Sequence, residues 1–199
     1  MTFRIEEKLL INRNQIYDFK AWMKMQGAIS IFPQRKIESL YFDNYRSQMY
    51  SDSEEGSSPR KKIRVRSYPI IDNQKFNLEI KISSIEGRYK NLTRIEPQVF
   101  NKIKSVGYID LQYGKCFPKL TVRYNREYYK VLEERITIDY NIEYFNYSSS
   151  SNIYQKDDII SVEIKTGIFK SIDELLNNFP FQRTRLSKYC RGYKALNIR

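Results

Sequence analysis

Apolar and polar residues alternate with a period of two through much of the chain, the spacing of strands whose two faces meet different surroundings. Lys61 to Pro69 shows it plainly, with Lys62, Arg64 and Arg66 alternating with Ile63 and Val65. Lys75 to Ser83 repeats it: Phe76, Leu78, Ile80 and Ile82 alternate with Asn77, Glu79 and Lys81, and a turn around Asp72-Asn73 joins the two. The same pattern predicts strands over Phe3 to Ile11, Ile37 to Asn44, Lys119 to Tyr129, Glu133 to Asn141 and Ile159 to Thr166. Helical spacing is rarer. Ile16, Phe19, Met23 and Trp22 form an apolar stripe on a helix capped by Asn12 or Asn14 and ended near Gly27. Glu96 to Val106 opens a second helix with Pro97 in its first turn, and Ser171, three residues before Glu174, caps a short helix over 171–178. Ser51 to Pro59 and the serine-rich Tyr147 to Asn152 read as mobile loops. Glu86 to Arg94 and Arg183 to Tyr193 carry no clear period.

Seven or eight strands and three helices, with no internal repeat and no linker, predict one α+β domain over residues 1–199 built on a large antiparallel sheet, a barrel being one way to close it. Composition agrees: 17 Tyr and 11 Phe supply strand formers, while 7 Gly and 6 Pro leave few breaks. Met1 to Leu10 is charged, unlike a signal peptide, and no apolar run reaches the length of a membrane span, so a cytoplasmic protein is the expectation. Cys116 and Cys190 have neither metal spacing nor a disulfide framework and read as packing residues. A net charge of +12 favours an anionic partner. The absence of histidine removes His-based triads, His general bases and most zinc sites. Any metal would be a hard ion on carboxylates.

Residues sharing a face by the period-two rule are Glu6 and Lys8; Lys62, Arg64 and Arg66; Glu79 and Lys81; Arg126; Arg135 and Asp139; and Glu163 and Lys165. A sheet with one face in the core and one in water gives such alternation for no functional reason. The bias toward cations, contributed by several strands, fits instead a face that grips a polyphosphate, with a few carboxylates left for a divalent ion. Lys62 is the cation on this face that could also sit at the rim or in solvent.

In this order, Arg4, Glu6 and Lys8, Tyr41-Phe42-Asp43, Arg64-Val65-Arg66, Glu79-Ile80-Lys81, Tyr124-Asn125-Arg126, Arg135 to Asp139, Glu163-Ile164-Lys165 and Ser187-Lys188-Tyr189 resemble the VTC-type polyphosphate polymerase domains of the triphosphate tunnel metalloenzymes (CYTH-like). The resemblance runs from Arg4 to Tyr189. It implies an eight-stranded antiparallel β-barrel, a triphosphate tunnel with flanking helices, lined by phosphate ligands at Lys8, Arg64, Arg66, Lys81, Arg126, Arg135 and Lys165. Lys62 and Tyr124 would add substrate contacts, and Ser187 and Lys188 would stand at one end of the path. Glu163 would be the chief ligand of Mn2+ or Mg2+; Glu6 and Glu79 would either assist it or pair with neighbouring lysines, and Asp139 would stand behind them. The implied reaction moves the terminal phosphoryl group of ATP onto a polyphosphate chain.

Two departures stand out. Where related domains tend to offer another basic residue after Tyr50, this chain has Ser51-Asp52-Ser53-Glu54-Glu55. The amino-terminal domain and membrane segments of the eukaryotic complexes are also missing, so coupling to a membrane would need a membrane-protein partner. Two alternatives stay open: a triphosphatase with water as acceptor, and a non-catalytic module for polyphosphate or nucleotide. Nucleic acid ranks lower, since no stacking motif accompanies the aromatics.

Overall fold

The computed structural model describes residues 4–69, 72–147, 154–167 and 183–198. Its elements, in chain order, are β1 (Arg4–Ile11), α1 (Gln15–Met25), β2 (Ile29–Asp43), α2 (Gln48–Glu55), β3 (Arg60–Tyr68), β4 (Asp72–Ser84), β5 (Gly87–Ile95), α3 (Pro97–Val106), β6 (Tyr108–Asp110), β7 (Gly114–Val131), β8 (Glu134–Asn146), β9 (Tyr154–Asp157), β10 (Ile160–Gly167) and α4 (Lys188–Ala195). Every strand predicted from the period-two pattern has its counterpart. The predicted helix over 171–178 and residues 148–152 of the serine-rich loop lie outside the described residues.

The strands form an antiparallel sheet in the hydrogen-bonding order β1-β10-β8-β7-β2-β3-β4-β5, with β6 added to β7 and β9 to β8. Among the described residues this order has two ends, β1 and β5, and no pair joins them. The expectation of a closed barrel is therefore corrected: eight strands follow one another as expected, but their hydrogen bonds do not complete a ring.

The chain divides into two compact units. The first takes in Met1–Arg35, Tyr124–Ile142 and Asp157–Leu186. Its registers set Leu9 opposite Val162, Val162 opposite Ile138, and Ile164 opposite Ile136, which puts the apolar half of each strand on one face. Phe19 and Met23 of α1 are buried against that face. Asn12 settles the choice of cap, because its Oδ1 accepts from the N–H groups of Asn14 and Gln15 at 3.0 and 2.9 Å, whereas the Asn14 side chain caps nothing. Gly27, at φ +74, ends the helix in the left-handed conformation that glycine adopts without strain.

The second unit takes in Lys36–Arg123, Glu143–Lys156 and Ser187–Arg199. Leu40, Val65 and Leu78 stand in one cross-strand row and Phe42, Ile63 and Ile80 in the next, and α3 covers this apolar face with Phe100 and Ile103. Four features differ from the sequence reading. Ser51 to Glu55, expected as loop, belongs to α2, because the Asp43 carboxylate at the end of β2 accepts from the N–H groups of Met49 and Tyr50 at 3.0 and 2.9 Å. The featureless Glu86 to Arg94 is mostly the edge strand β5, exposed along nearly its whole length. Asp72 already pairs with Tyr68, so the turn between β3 and β4 falls before Asp72-Asn73. The basic tail forms α4, which buries Tyr189, Cys190 and Tyr193.

Gly192 of α4 lies so close to β7 and β8 that an added Cβ would fall 2.5 Å from Tyr144 Cδ1 and 2.9 Å from Leu120 Cδ1. Gly192→Ala is expected to destabilise the protein by about 1–3 kcal/mol through overpacking, visible as a lower Tm in thermal unfolding.

Candidate functional site

In the second unit, strand register builds a basic panel. Lys62 of β3 faces Lys81 of β4, which faces Lys90 of β5. The flanking rows are Arg60, Ser83 and Arg88 on one side, and Arg64, Glu79 and Leu92, then Arg66, Asn77 and Arg94, on the other. Glu79 is the one carboxylate among these positions, and its two oxygens serve three cations. Arg64 donates through Nε and Nη2 to Oε2 at 2.8 and 2.5 Å, Lys90 donates to Oε1 at 2.8 Å, and Arg66 Nη1 stands 3.5 Å from Oε1. Burial alone would raise the Glu79 pKa, but Arg64, Arg66 and Lys90 hold it far below the ordinary carboxylate range.

Arg64 also donates through Nη1 to Tyr41 Oη at 2.8 Å. Burial opposes ionisation of Tyr41, yet the charges of Arg64 and Arg66 outweigh it and leave the phenol below its usual pKa. The Tyr41 ring stacks on Tyr189 of α4 at 5.0 Å, and Tyr189 donates to the buried Asp43 at 2.6 Å. At the start of α4, Ser187 Oγ accepts from the N–H of Cys190 at 3.3 Å and from Lys62 Nζ at 2.9 Å, so Lys62 meets the Ser187-Lys188 segment directly. The two thiols are unpaired and buried, and burial pushes that of Cys116 up to about 12, which fits the packing role expected of it.

The first unit carries its own charged face. Register sets Glu6 opposite Lys165 and Lys165 opposite Arg135, with Lys8 opposite Glu163 in the next row. Lys165 Nζ lies 2.5 Å from Glu163 and 4.0 Å from Glu6, while Lys8 Nζ lies 3.4 Å from Glu6 and donates to the Leu186 carbonyl at 3.0 Å. Arg126 clasps Asp139 with two bonds, Nε to Oδ1 at 2.5 Å and Nη2 to Oδ2 at 2.7 Å, and its guanidinium stands over the Tyr124 ring at 5.4 Å. Burial would lower the Arg126 pKa, but Asp139 raises it well above the ordinary value. Arg135 stands over the Tyr128 ring at 5.5 Å, and its buried Nε donates no hydrogen bond among the described residues.

For a divalent ion the donor set is lean. Among the described residues no three acidic, His or Cys side chains cluster to hold one. Glu163 and Glu6 have the carboxylate chemistry for a hard ion, with Lys165 2.5 Å from Glu163, and Lys8 and Lys165 3.4 and 4.0 Å from Glu6, as the cations such an ion would replace. Glu79 fits less well, since three cations, two of them guanidinium groups, lie within 3.5 Å of its oxygens.

A match to the VTC domain spans residues 3–197. The chain belongs to the VTC domain family. The fold is also similar to solved structures: a candidate adenylate cyclase from Bacillus halodurans at TM-score 0.62 and 13% identity, covering 94% of each chain; and a candidate adenylate cyclase from Vibrio parahaemolyticus at TM-score 0.56 and 14% identity, covering 98% of each. A chain of the Mediator head module of Schizosaccharomyces pombe aligns at TM-score 0.56 and 9% identity over 92% of this chain and 99% of that one. No match was found among curated protein sequences.

Two residues of this VTC domain escaped the sequence reading. Lys90 completes the lysine row, but its strand lacks the apolar alternation that marks the others. Arg35 shares the Tyr128 ring with Arg135, its guanidinium 5.3 Å from the ring centre, and lies in a part of β2 ahead of the predicted strand.

Proposed function

We propose that this VTC domain is a polyphosphate polymerase, transferring the terminal phosphoryl group of ATP to the end of a polyphosphate chain with a divalent ion, Mn2+ or Mg2+. The observation that supports it most is the row Lys62, Lys81 and Lys90. Like charges set opposite one another on neighbouring strands destabilise a sheet, and in this row Glu79 meets only Lys90 while Lys62 donates to the neutral Ser187. A phosphate chain laid across them would turn that repulsion into attraction.

In the reaction a terminal oxygen of the chain attacks the γ-phosphorus, the bond from that phosphorus to the bridging β,γ-oxygen breaks, and ADP leaves. Such transfer rests on alignment and neutralisation of charge, and an anionic chain end needs no side-chain base, so the lack of histidine is no obstacle. Lys62, Arg64, Arg66, Lys81 and Lys90 are the phosphate ligands proposed in the second unit, with Ser187 and Lys188 beside Lys62. Lys8, Arg126, Arg135 and Lys165 are those proposed in the first, with Tyr124 as a substrate contact. Glu163, assisted by Glu6, would hold the ion, which supplies further neutralisation of phosphate charge when bound. Glu79 positions Arg64, Arg66 and Lys90.

The purified protein incubated with ATP and manganese is expected to yield long chains on a gel. Release of free phosphate alone, from ATP or tripolyphosphate, would assign it to hydrolysis, and tight binding with neither product to a binding module. Arg64→Ala and Lys81→Ala are each expected to weaken tripolyphosphate binding by about tenfold or more, the loss of one charge-assisted contact. Glu163→Ala should chiefly remove the dependence on metal. Unchanged affinity in both cationic variants would sink the assignment.

A further inference from the structure

In the second unit, β7 and β8 present two different faces. Leu120, Val122 and Tyr144 are buried on one, and Leu120 and Tyr144 pack against Gly192 of α4. On the other face, positions out of phase with these carry Phe117 and Phe145, with Tyr147 at the end of β8. Here aromatic rings and cations interleave. Arg123 stands over Phe145 at 4.4 Å, Phe145 stacks on Tyr154 of β9 at 5.4 Å, and Lys156 reaches Tyr154 at 5.9 Å. Lys104 stands 5.7 Å from the Tyr147 ring and Lys115 5.3 Å from that of Phe117. The patch continues onto the α3–β6 connection, since Gly107 lies against Phe117 and Ile109 pairs with Lys115. Three aliphatic side chains there point into solvent: Val106 at 51% exposure, Ile109 at 76% and Leu111 at 103%.

We infer that this face docks on an anionic lipid bilayer. Each component has a place there. Lysine and arginine are drawn to acidic headgroups. Tyrosine and phenylalanine rings settle at the headgroup level, with apolar bodies and, for tyrosine, a polar tip. The aliphatic trio decides against a nucleic acid, because Val106, Ile109 and Leu111 offer no ring on which a base could stack, whereas they can enter the boundary of the acyl region. Charge complementarity supports the assignment through Lys104, Lys115 and Lys156, since Asp110 is paired with Lys61 and Glu38 with Arg123. No helix among the described residues is long and apolar enough to cross a membrane.

Co-sedimentation of the full chain with vesicles tests this. The protein is expected to pellet with vesicles containing phosphatidylglycerol and to stay in the supernatant with pure phosphatidylcholine. Saturating tripolyphosphate, which would occupy the basic panel, should leave pelleting unchanged. Ile109→Asp with Leu111→Asp, at side chains too exposed to disturb folding, should reduce it at least about fivefold, the order expected from placing charge where apolar contact is needed. Lys115→Glu with Lys156→Glu should do the same through the headgroups. No pelleting with phosphatidylglycerol, undiminished pelleting of both double variants, or loss of pelleting on adding tripolyphosphate would each overturn the inference. So would capture by a single-stranded oligonucleotide in place of vesicles.

Discussion

Asp139→Ala is expected to lower stability by about 3–5 kcal/mol, the range seen when one partner of a buried ion pair is removed. Asp139 is 1% exposed and Arg126 8%, and the two meet through paired bonds, so the substitution strands a guanidinium that cannot shed its proton. Urea denaturation should show a lower midpoint with an unchanged slope, the sign of a loss of stability without a change in the exposed surface. Replacing both residues by apolar ones of similar size, Arg126→Met with Asp139→Leu, should recover much of the loss, because the stranded charge goes with its partner. If Arg126 also binds phosphate, tripolyphosphate should raise the Tm of Asp139→Ala more than that of the wild type. A loss below about 1 kcal/mol would show that solvent or another anion reaches Arg126 freely and that the pair is no structural anchor.

The strands were legible where their two faces differ. In β3, Lys62, Arg64 and Arg66 alternate with Ile63 and Val65 because one face meets the core and the other the charged panel. At β5 that contrast disappears: an exposed edge strand needs no alternation, so Lys90 could not be assigned to the panel without knowing its partner Lys81. Helix α2 was hidden for another reason. Its signal lies ahead of the usual cap position, since Asn44 Oδ1 accepts from the N–H of Gln48 and the Asp43 carboxylate, at the end of the preceding strand, accepts from those of Met49 and Tyr50, while Ser47 makes no side-chain cap. For α4 a signal was there to read. Tyr189, Tyr193 and Leu196 recur at helical spacing after Ser187, but four basic residues over Arg183–Arg191 obscured it. Tyr193 donates to or accepts from Ser47, and Lys194 pairs with Glu54 of α2, so the acidic segment after Tyr50 is engaged with the tail. The candidate site was legible as a set of cations; which carboxylates those cations already hold required the register.

Glu79→Gln follows from that register and separates positioning from metal binding. The substitution keeps the side chain's shape and removes the charge that holds Arg64, Arg66 and Lys90 together. In a buffer free of polyanions it is expected to destabilise the protein by about 3 kcal/mol, as loss of a buried carboxylate from its cations does. The pH dependence has a definite sign. Because the folded pKa of Glu79 is depressed, its contribution is complete above the unfolded value of about 4.3 and is lost as pH falls below that toward the folded pKa. The gap between wild type and variant should therefore be full at neutral pH and shrink on acidification below about pH 4. Tripolyphosphate should reverse the ranking of thermal shifts: an anion seated on the panel supplies the variant with the counter-charge it lacks, so its Tm should rise more than that of the wild type. Metal dependence should remain, since Glu163 and Glu6 are untouched. Equal thermal shifts in both proteins would mean that the anion binds elsewhere, whereas loss of metal dependence would return Glu79 to the metal site and undo its assignment as the residue that positions the cations.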